Sequence, residues 1–308
     1  MQTIDIFKIQ KGIDNLKSMT TGAKNLVNSE ELQFQFSNTD INFSEVEYTN
    51  AEFQHFLQCI NFPKNYPKYH ESFVKAYKDI FELHGMQGDY KQKVYSKYFE
   101  QYIATKIMKT TKLNGVMDVA CDRCPFVAYA SSKFNANKCY AQDLTSAPTT
   151  VPYLSNNQSV KIIQSNASQI PLGDSSLDFI CLLNSWEHFQ APYDLQVLIE
   201  SSRLLRKGGK LLITPLNLST IPFVMTDPTV WNTKQVIVNG ENPQFRVDVP
   251  VVLTNNNQTY AQCHSPALLN SFVNFIPELS WEVQRITIAS IDNPLMIKPY
   301  LILIGANN

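Results

Sequence analysis

From Gly115 onward the chain alternates short apolar runs with stretches of helical spacing, the signature of βαβ units feeding a largely parallel sheet. Residues 116–120 read as a first strand, 125–132 as a helix with proline in its first turn, and 138–142 as a second strand. Runs at 160–164 and 177–183 give strands three and four. Leu195, Leu198, Ile199, Ser202 and Leu205 share one helical face, and Lys207-Gly208-Gly209 supplies a stop before a fifth strand at 211–214. A helix at 266–275 then leads into apolar runs at 281–288 and 300–304, which suggest a closing strand pair.

The segment before this pattern has a different texture. Ile6, Ile9, Ile13 and Leu16 fall at helical spacing, and Tyr95, Tyr98, Phe99, Tyr102 and Ile103 form a second stripe. Between them the run NFPKNYP at 61–67 breaks the helix, because each proline removes a donor and restricts its predecessor. The expected organisation is an N-terminal helical region, 1–112, as a candidate lid, followed by a sheet domain over 113–308. Within the latter, 221–262 is polar, proline-bearing and irregular, and reads as a substrate-side insertion. Asn255, Asn256 and Asn257 mark an exposed turn, and no internal repeat is visible.

Charge narrows the function classes. Lys plus Arg number 26 against 27 Asp plus Glu, a net charge of −1 that argues against a chain built for phosphate backbones or anionic membrane surfaces. No run approaches the roughly 18 apolar residues of a membrane helix, and Asp5 and Lys8 stand where a signal peptide would be apolar, so a cytoplasmic protein is expected. Six cysteines in 308 residues, three of them in or beside strand-like runs, are expected as reduced thiols.

Four segments then carry a family resemblance: VMDVACDRCP at 116–125, YAQDL at 140–144, SNASQIPLGDSSLDF at 165–179, and EHF at 187–189 with ESSRLLRKGGKLLI at 200–213. In order and spacing they resemble the class I S-adenosylmethionine-dependent methyltransferases of the small-molecule type, most strongly over 115–218. The resemblance implies an α/β fold, a Rossmann-like class I methyltransferase sheet that is mostly parallel with an antiparallel final strand, to which the helical spacing upstream adds an N-terminal helical subdomain. The first segment departs from the family pattern: three glycines at alternate positions are replaced by Ala120, Asp122 and Cys124. Cys124-Pro125 and the PLNL run at 215–218 look like a less common, glycine-poor subgroup.

In such a sheet the ligand sits beyond the carboxyl ends of the strands at the switch point. The resemblance places S-adenosylmethionine there. Asp143, closing the second strand, is expected to accept hydrogen bonds from both ribose hydroxyls, with Leu144 beside it. Asn166 is expected at the adenine amino group and Ala167 beside the ring. Asp118 is expected to order the loop formed by Ala120 and Cys121. Asp122 either meets the cationic end of the cofactor or caps the following helix; a carboxylate there would repel a dinucleotide's pyrophosphate. Asn184 after the fourth strand and Tyr98 from the N-terminal stripe complete the expected cofactor contacts, although a tyrosine stripe is equally what a core requires.

Cys121 and Cys124 also read as C-x-x-C between strand and helix, the position used by thiol oxidoreductases. A zinc site would need two further ligands that the sequence does not supply, so no metal is expected, and small residues standing in for glycine account for both cysteines. Glu200 and Arg203, three apart on one helix, read as a salt bridge.

Methyl transfer is an in-line displacement, so the protein chiefly positions the reactants and removes a proton from the acceptor. His188 is the candidate base, with Glu187 and His264 as weaker ones, because histidine exchanges protons near neutrality. The expectation is an enzyme of secondary or polysaccharide metabolism, monomeric or homodimeric, acting on a small-molecule acceptor with O-methylation favoured. No nucleic-acid or membrane partner is expected. The rival reading is a catalytically silent relative that keeps the fold as a binding or scaffold module, and a nicotinamide oxidoreductase is disfavoured by the glycine-free loop.

Overall fold

The computed structural model describes residues 28–61, 90–108, 113–134, 136–226, 251–253, 260–289 and 300–307. The stripe at residues 6–16, most of the proline break at 61–67, the Asn255 to Asn257 turn and much of the 221–262 segment lie outside the described residues, as does the Tyr95 side chain.

The chain enters through α1 (Ser29–Phe36), β1 (Ile41–Thr49), α2 (Asn50–Asn61) and α3 (Tyr90–Ile107). There follow β2 (Gly115–Val119), α4 (Phe126–Lys133), β3 (Lys138–Asp143), the short α5 (Pro152–Ser155), β4 (Val160–Gln164) and β5 (Leu177–Leu183). The third run comprises α6 (Tyr193–Leu204), β6 (Leu205–Thr214), β7 (Phe223–Thr226), β8 (Val251–Leu253), β9 (Ala261–Cys263), α7 (Pro266–Val273), β10 (Leu279–Ala289) and β11 (Tyr300–Asn307).

An eight-stranded sheet runs in the order β1-β10-β11-β6-β5-β2-β3-β4. β11 is antiparallel to both its neighbours, and every other pairing is parallel. The final strand is therefore inverted, as expected. β2 and β5, in the middle, are buried along their whole length and apolar except for Asp118 and Asp178, the pattern of strands covered on both faces. One face packs against Phe99, Tyr102 and Ile103 of α3 and Phe126 and Ala130 of α4; the other packs against Val197, Leu198 and Leu204 of α6 and Leu269 and Phe272 of α7.

Two expectations are corrected. Residues 1–112 are not helical throughout: β1 is a strand that pairs parallel with β10 and extends the sheet at its edge, so this part of the N-terminal region belongs to the sheet. Gly208 and Gly209 do not stop the helix. α6 ends at Leu204 and β6 starts at once, with Leu205 opposite Leu177 and a register shift before Phe179; Gly208 supplies the left-handed residue (φ +79°) within that irregular stretch. Leu205 is accordingly a strand residue, and Ile199 is 45% exposed rather than core-facing.

The start of β2 is pinned by Asp178, whose Oδ2 accepts the backbone amides of Asn114 and Gly115 at 2.7 Å each, while its Oδ1 pairs with Arg206. Gly115 is required by close approach, since a Cβ there would lie 2.8 Å from the Ser176 carbonyl. The 221–262 segment contributes a second, three-stranded sheet in the order β8-β7-β9. Among the described residues no helix is long and apolar enough to cross a membrane.

Candidate functional site

A cavity of about 330 Å³ opens at the carboxyl tips of β2, β3, β4 and β5, lined by residues that include Ala120, Gln142, Leu144, Asn166, Asn184 and His188. Its position follows from strand order: β2 and β5 are neighbours whose crossovers lead in opposite directions, leaving a crevice between their tips.

The loop after β2 takes glycine-like conformations without glycine. Ala120 (φ +52°) and Asp122 (φ +46°) are both left-handed, as is Asn184 (φ +54°) across the cavity. For Ala and Asp this region costs on the order of 1 kcal/mol each, so surrounding contacts must hold the loop in place. Gln142 Oε1 accepts the Ala120 amide at 3.1 Å, Asp143 Oδ2 accepts the Asp122 amide at 2.8 Å, and the Gln142 carbonyl accepts the Cys121 amide.

Asp143 therefore does not stand as expected. Gln142 and Leu144 line the cavity, and the carboxylate between them turns under the loop, because successive strand side chains point to opposite faces. Besides the Asp122 amide it accepts the Thr145 amide and hydroxyl on Oδ1, both at 2.8 Å. A carboxylate has roughly four acceptor sites. With three used, one ribose hydroxyl can be accommodated, not the expected pair.

Asn166 and Ala167 line the cavity. The Asn166 Oδ1 accepts the Ser168 amide and hydroxyl, both at 3.0 Å, which fixes the side chain. This turn is braced from α6: Glu200 Oε1 accepts the Ile170 amide, and Arg203, bound to Glu200 and Asp174, donates to the Ile170 and Leu172 carbonyls. The predicted salt bridge is thus a positioning device for the Asn166 loop.

Asp118 is fully buried beneath the loop, and one of its oxygens accepts a thiol hydrogen from Cys181 at 3.7 Å. Burial, opposed by the Cys124 and Cys181 thiols and reinforced by the Asp143 and Glu100 carboxylates, raises its pKa to about 7. Cys121 and Cys124 are free thiols whose pKa values burial pushes well above the ordinary range, the opposite of a reactive thiolate. Among the described residues no His, Cys, Asp and Glu group is placed to hold a metal. Asp122 faces the cavity with its side chain 49% exposed beside Arg123 and does not cap α4, whose N-terminus has no side-chain cap.

Two expected contacts belong to the core. Tyr98 is 2% exposed within the aromatic cluster of α2 and α3, and does not line the cavity. His264 is 1% exposed, stacked on Trp186 at 4.1 Å, and faces Asp194 Oδ2 at 3.8 Å; it is a buried packing residue and not a cavity base. Glu187 is buried, with Oε1 3.9 Å from His188 Nε2.

His188 does line the cavity, with its side chain 42% exposed. Its Nδ1 lies 2.6 Å from the Tyr260 carbonyl. A carbonyl only accepts, so Nδ1 carries the hydrogen, and in the neutral ring Nε2 is the proton acceptor. The second sheet enforces this arrangement, because Tyr260 precedes β9, and Gln262 within β9 donates to the Phe189 carbonyl and Asp194 Oδ2. Sequence reasoning placed the segment 184–189 at the pocket and missed Gln142, Gln190 and Tyr193 as lining residues.

Residues 117–213 match the family described as "Methyltransferase domain". None of the curated proteins matches the chain in sequence. Among solved structures, a candidate methyltransferase from Bacillus halodurans C-125 is 24% identical at TM-score 0.33, the match spanning 37% of this chain and 49% of that one. The 1,6-didemethyltoxoflavin N1-methyltransferase of Burkholderia thailandensis, crystallised with S-adenosylhomocysteine, is 13% identical at TM-score 0.47 over 86% of this chain and 93% of that one. The sugar N-methyltransferase KedS8 of a Streptoalloteichus species is 19% identical at TM-score 0.33 over 37% and 46%.

Proposed function

We propose, from the premise that residues 117–213 are a methyltransferase domain of the class I, S-adenosylmethionine-dependent kind, that the protein methylates a hydroxyl of a small-molecule acceptor with His188 as general base. The observation that carries this reading is the hydrogen bond from His188 Nδ1 to the Tyr260 carbonyl, which leaves Nε2 as the basic nitrogen of a ring that lines the cavity.

The lining suits the cofactor. Leu144, Ala167 and Ala120 offer apolar surface for a base, and Asn166 offers an amide to its edge. The loop carries a carboxylate at Asp122 and no glycines, which suits a ligand without phosphate. When bound, S-adenosylmethionine supplies an electrophilic methyl group on a sulfonium. The protein's part would be to hold the acceptor oxygen in line with that methyl group and to take the acceptor's proton at His188 Nε2. Glu187, 3.9 Å away, stabilises the imidazolium that results. In this reading the three-stranded sheet of the 221–262 segment is the substrate-side element, since Tyr260 orients the base.

His188→Asn is the test. Loss of a general base costs roughly 10²–10⁴-fold in turnover while leaving binding of S-adenosylhomocysteine intact. Unchanged turnover in that variant would remove the proton-transfer role.

A further inference from the structure

Outside the cavity lining, three buried polar side chains and the half-buried Tyr300 converge in one niche at the tips of β5, β6 and β11. Glu100, 1% exposed, comes from α3; Glu187 follows β5; Thr214, fully buried, ends β6; and Tyr300 opens β11. The Tyr300 hydroxyl donates to Glu100 Oε1 at 2.6 Å and lies beside the Thr214 hydroxyl, and the Glu187 carboxylate acts on both Glu100 and Tyr300.

Buried polar atoms normally have partners. Here, Glu187 Oε2 is buried without a hydrogen-bond partner among the described residues, and Thr214 Oγ1 has only the neighbouring Tyr300 hydroxyl. Glu100 Oε2 also lacks a hydrogen bond, with Lys97 Nζ at 3.7 Å as its nearest cation. Burial raises the Glu100 pKa to about 7, against the Lys97 charge and the Tyr300 hydrogen bond, which lower it. Lys97 pairs with Glu100 only, and the unfilled Glu187 and Glu100 oxygens accept hydrogen bonds when ionised. An anionic or apolar group would leave the carboxylate oxygens unpaired, whereas an ammonium would satisfy them.

We infer that this niche is an ammonium subsite of the methyl acceptor, so that the substrate is an amine-bearing small molecule whose hydroxyl is delivered to His188. The inference rests on the proposed methyl transfer. Strand order separates the niche from the nucleoside: Leu144, Asn166 and Ala167 line the cavity at the β3 and β4 tips, while Thr214 and Tyr300 lie past β5 on β6 and β11. Glu187 joins the niche to the base, with Oε1 towards His188 and Oε2 unfilled.

The test uses the full chain saturated with S-adenosylhomocysteine and calorimetric titration with ethanolamine, tyramine and glucosamine, each paired with its N-acetylated form. At least one amine is expected to bind tenfold or more tightly than its neutral partner. That preference should fall to within twofold in Glu187→Gln and in the near-isosteric Thr214→Val, while the affinity for S-adenosylhomocysteine stays within twofold of wild type. No amine preference in the wild-type protein would overturn the inference without touching the proposed cofactor. A tenfold loss of S-adenosylhomocysteine affinity in both variants would overturn it as well, by assigning the niche to the cofactor's own ammonium. Failure of the wild-type protein to bind S-adenosylhomocysteine would instead strike the proposed function.

Discussion

Asp118→Asn should change how the stability of this protein depends on pH. Asp118 is fully buried in β2 and its pKa is raised to about 7, chiefly by burial, from an ordinary value near 3.8. In the unfolded chain it ionises near pH 4, and in the folded protein only near pH 7. Between those values the folded state holds the extra proton, so folding is favoured at low pH and this contribution is lost as pH rises from about 4 to 7. A three-unit shift corresponds to about 4 kcal/mol, of which about 3 kcal/mol develops between pH 4.5 and pH 8. The asparagine does not titrate. It leaves an amide nitrogen to be satisfied, an offset of about 1–3 kcal/mol that does not vary with pH. Urea unfolding of both proteins across this range should therefore show the difference in stability moving by about 3 kcal/mol in favour of the variant as pH rises. Parallel pH profiles for the two proteins would refute the claim that a buried, protonated carboxyl sits beneath the loop.

Other expectations follow from the same region. Ala120→Gly should stabilise the fold by about 1 kcal/mol, read as a higher urea midpoint, because φ +52° is strained for alanine and free for glycine. Asp178→Ala should cost about 3 kcal/mol in the same assay, since it strips two amides at the start of β2 of a charged acceptor and leaves Arg206 without its partner.

The central strand β5 was legible because burial on both faces leaves a nearly continuous apolar run, and it matches the expected 177–183 to the residue; β4, a half-exposed edge strand, matches 160–164 through its Val160, Ile162 and Ile163. β1 was not. Its burial is mixed along an edge strand, so Ser44, Glu45 and Glu47 interrupt the apolar signal, and its partner β10 lies more than 200 residues away. The end of α6 was misread because a glycine pair usually marks a helix stop, whereas here it serves a strand irregularity.

Within the site, Leu144, Asn166, Ala167, Asn184 and His188 were found because motif order placed them at strand tips. Asp143 was given the cavity and Gln142 was overlooked, although the two-residue period of a strand puts Gln142 and Leu144 on one face and Asp143 on the other. His264 offered the right chemistry but no sequence signal that Trp186 would bury it. The cluster of Glu100, Glu187, Thr214 and Tyr300 was invisible, since the four residues converge from four separate elements.

Calorimetric titration with S-adenosylhomocysteine tests the cofactor assignment most directly. One molecule should bind per chain, and Asn166→Leu should weaken binding about tenfold by removing the amide at the base edge, equivalent to about 1.4 kcal/mol. Absence of binding at concentrations up to about 1 mM, a dissociation constant worth only about 4 kcal/mol, would contradict the assignment of this cavity to the cofactor.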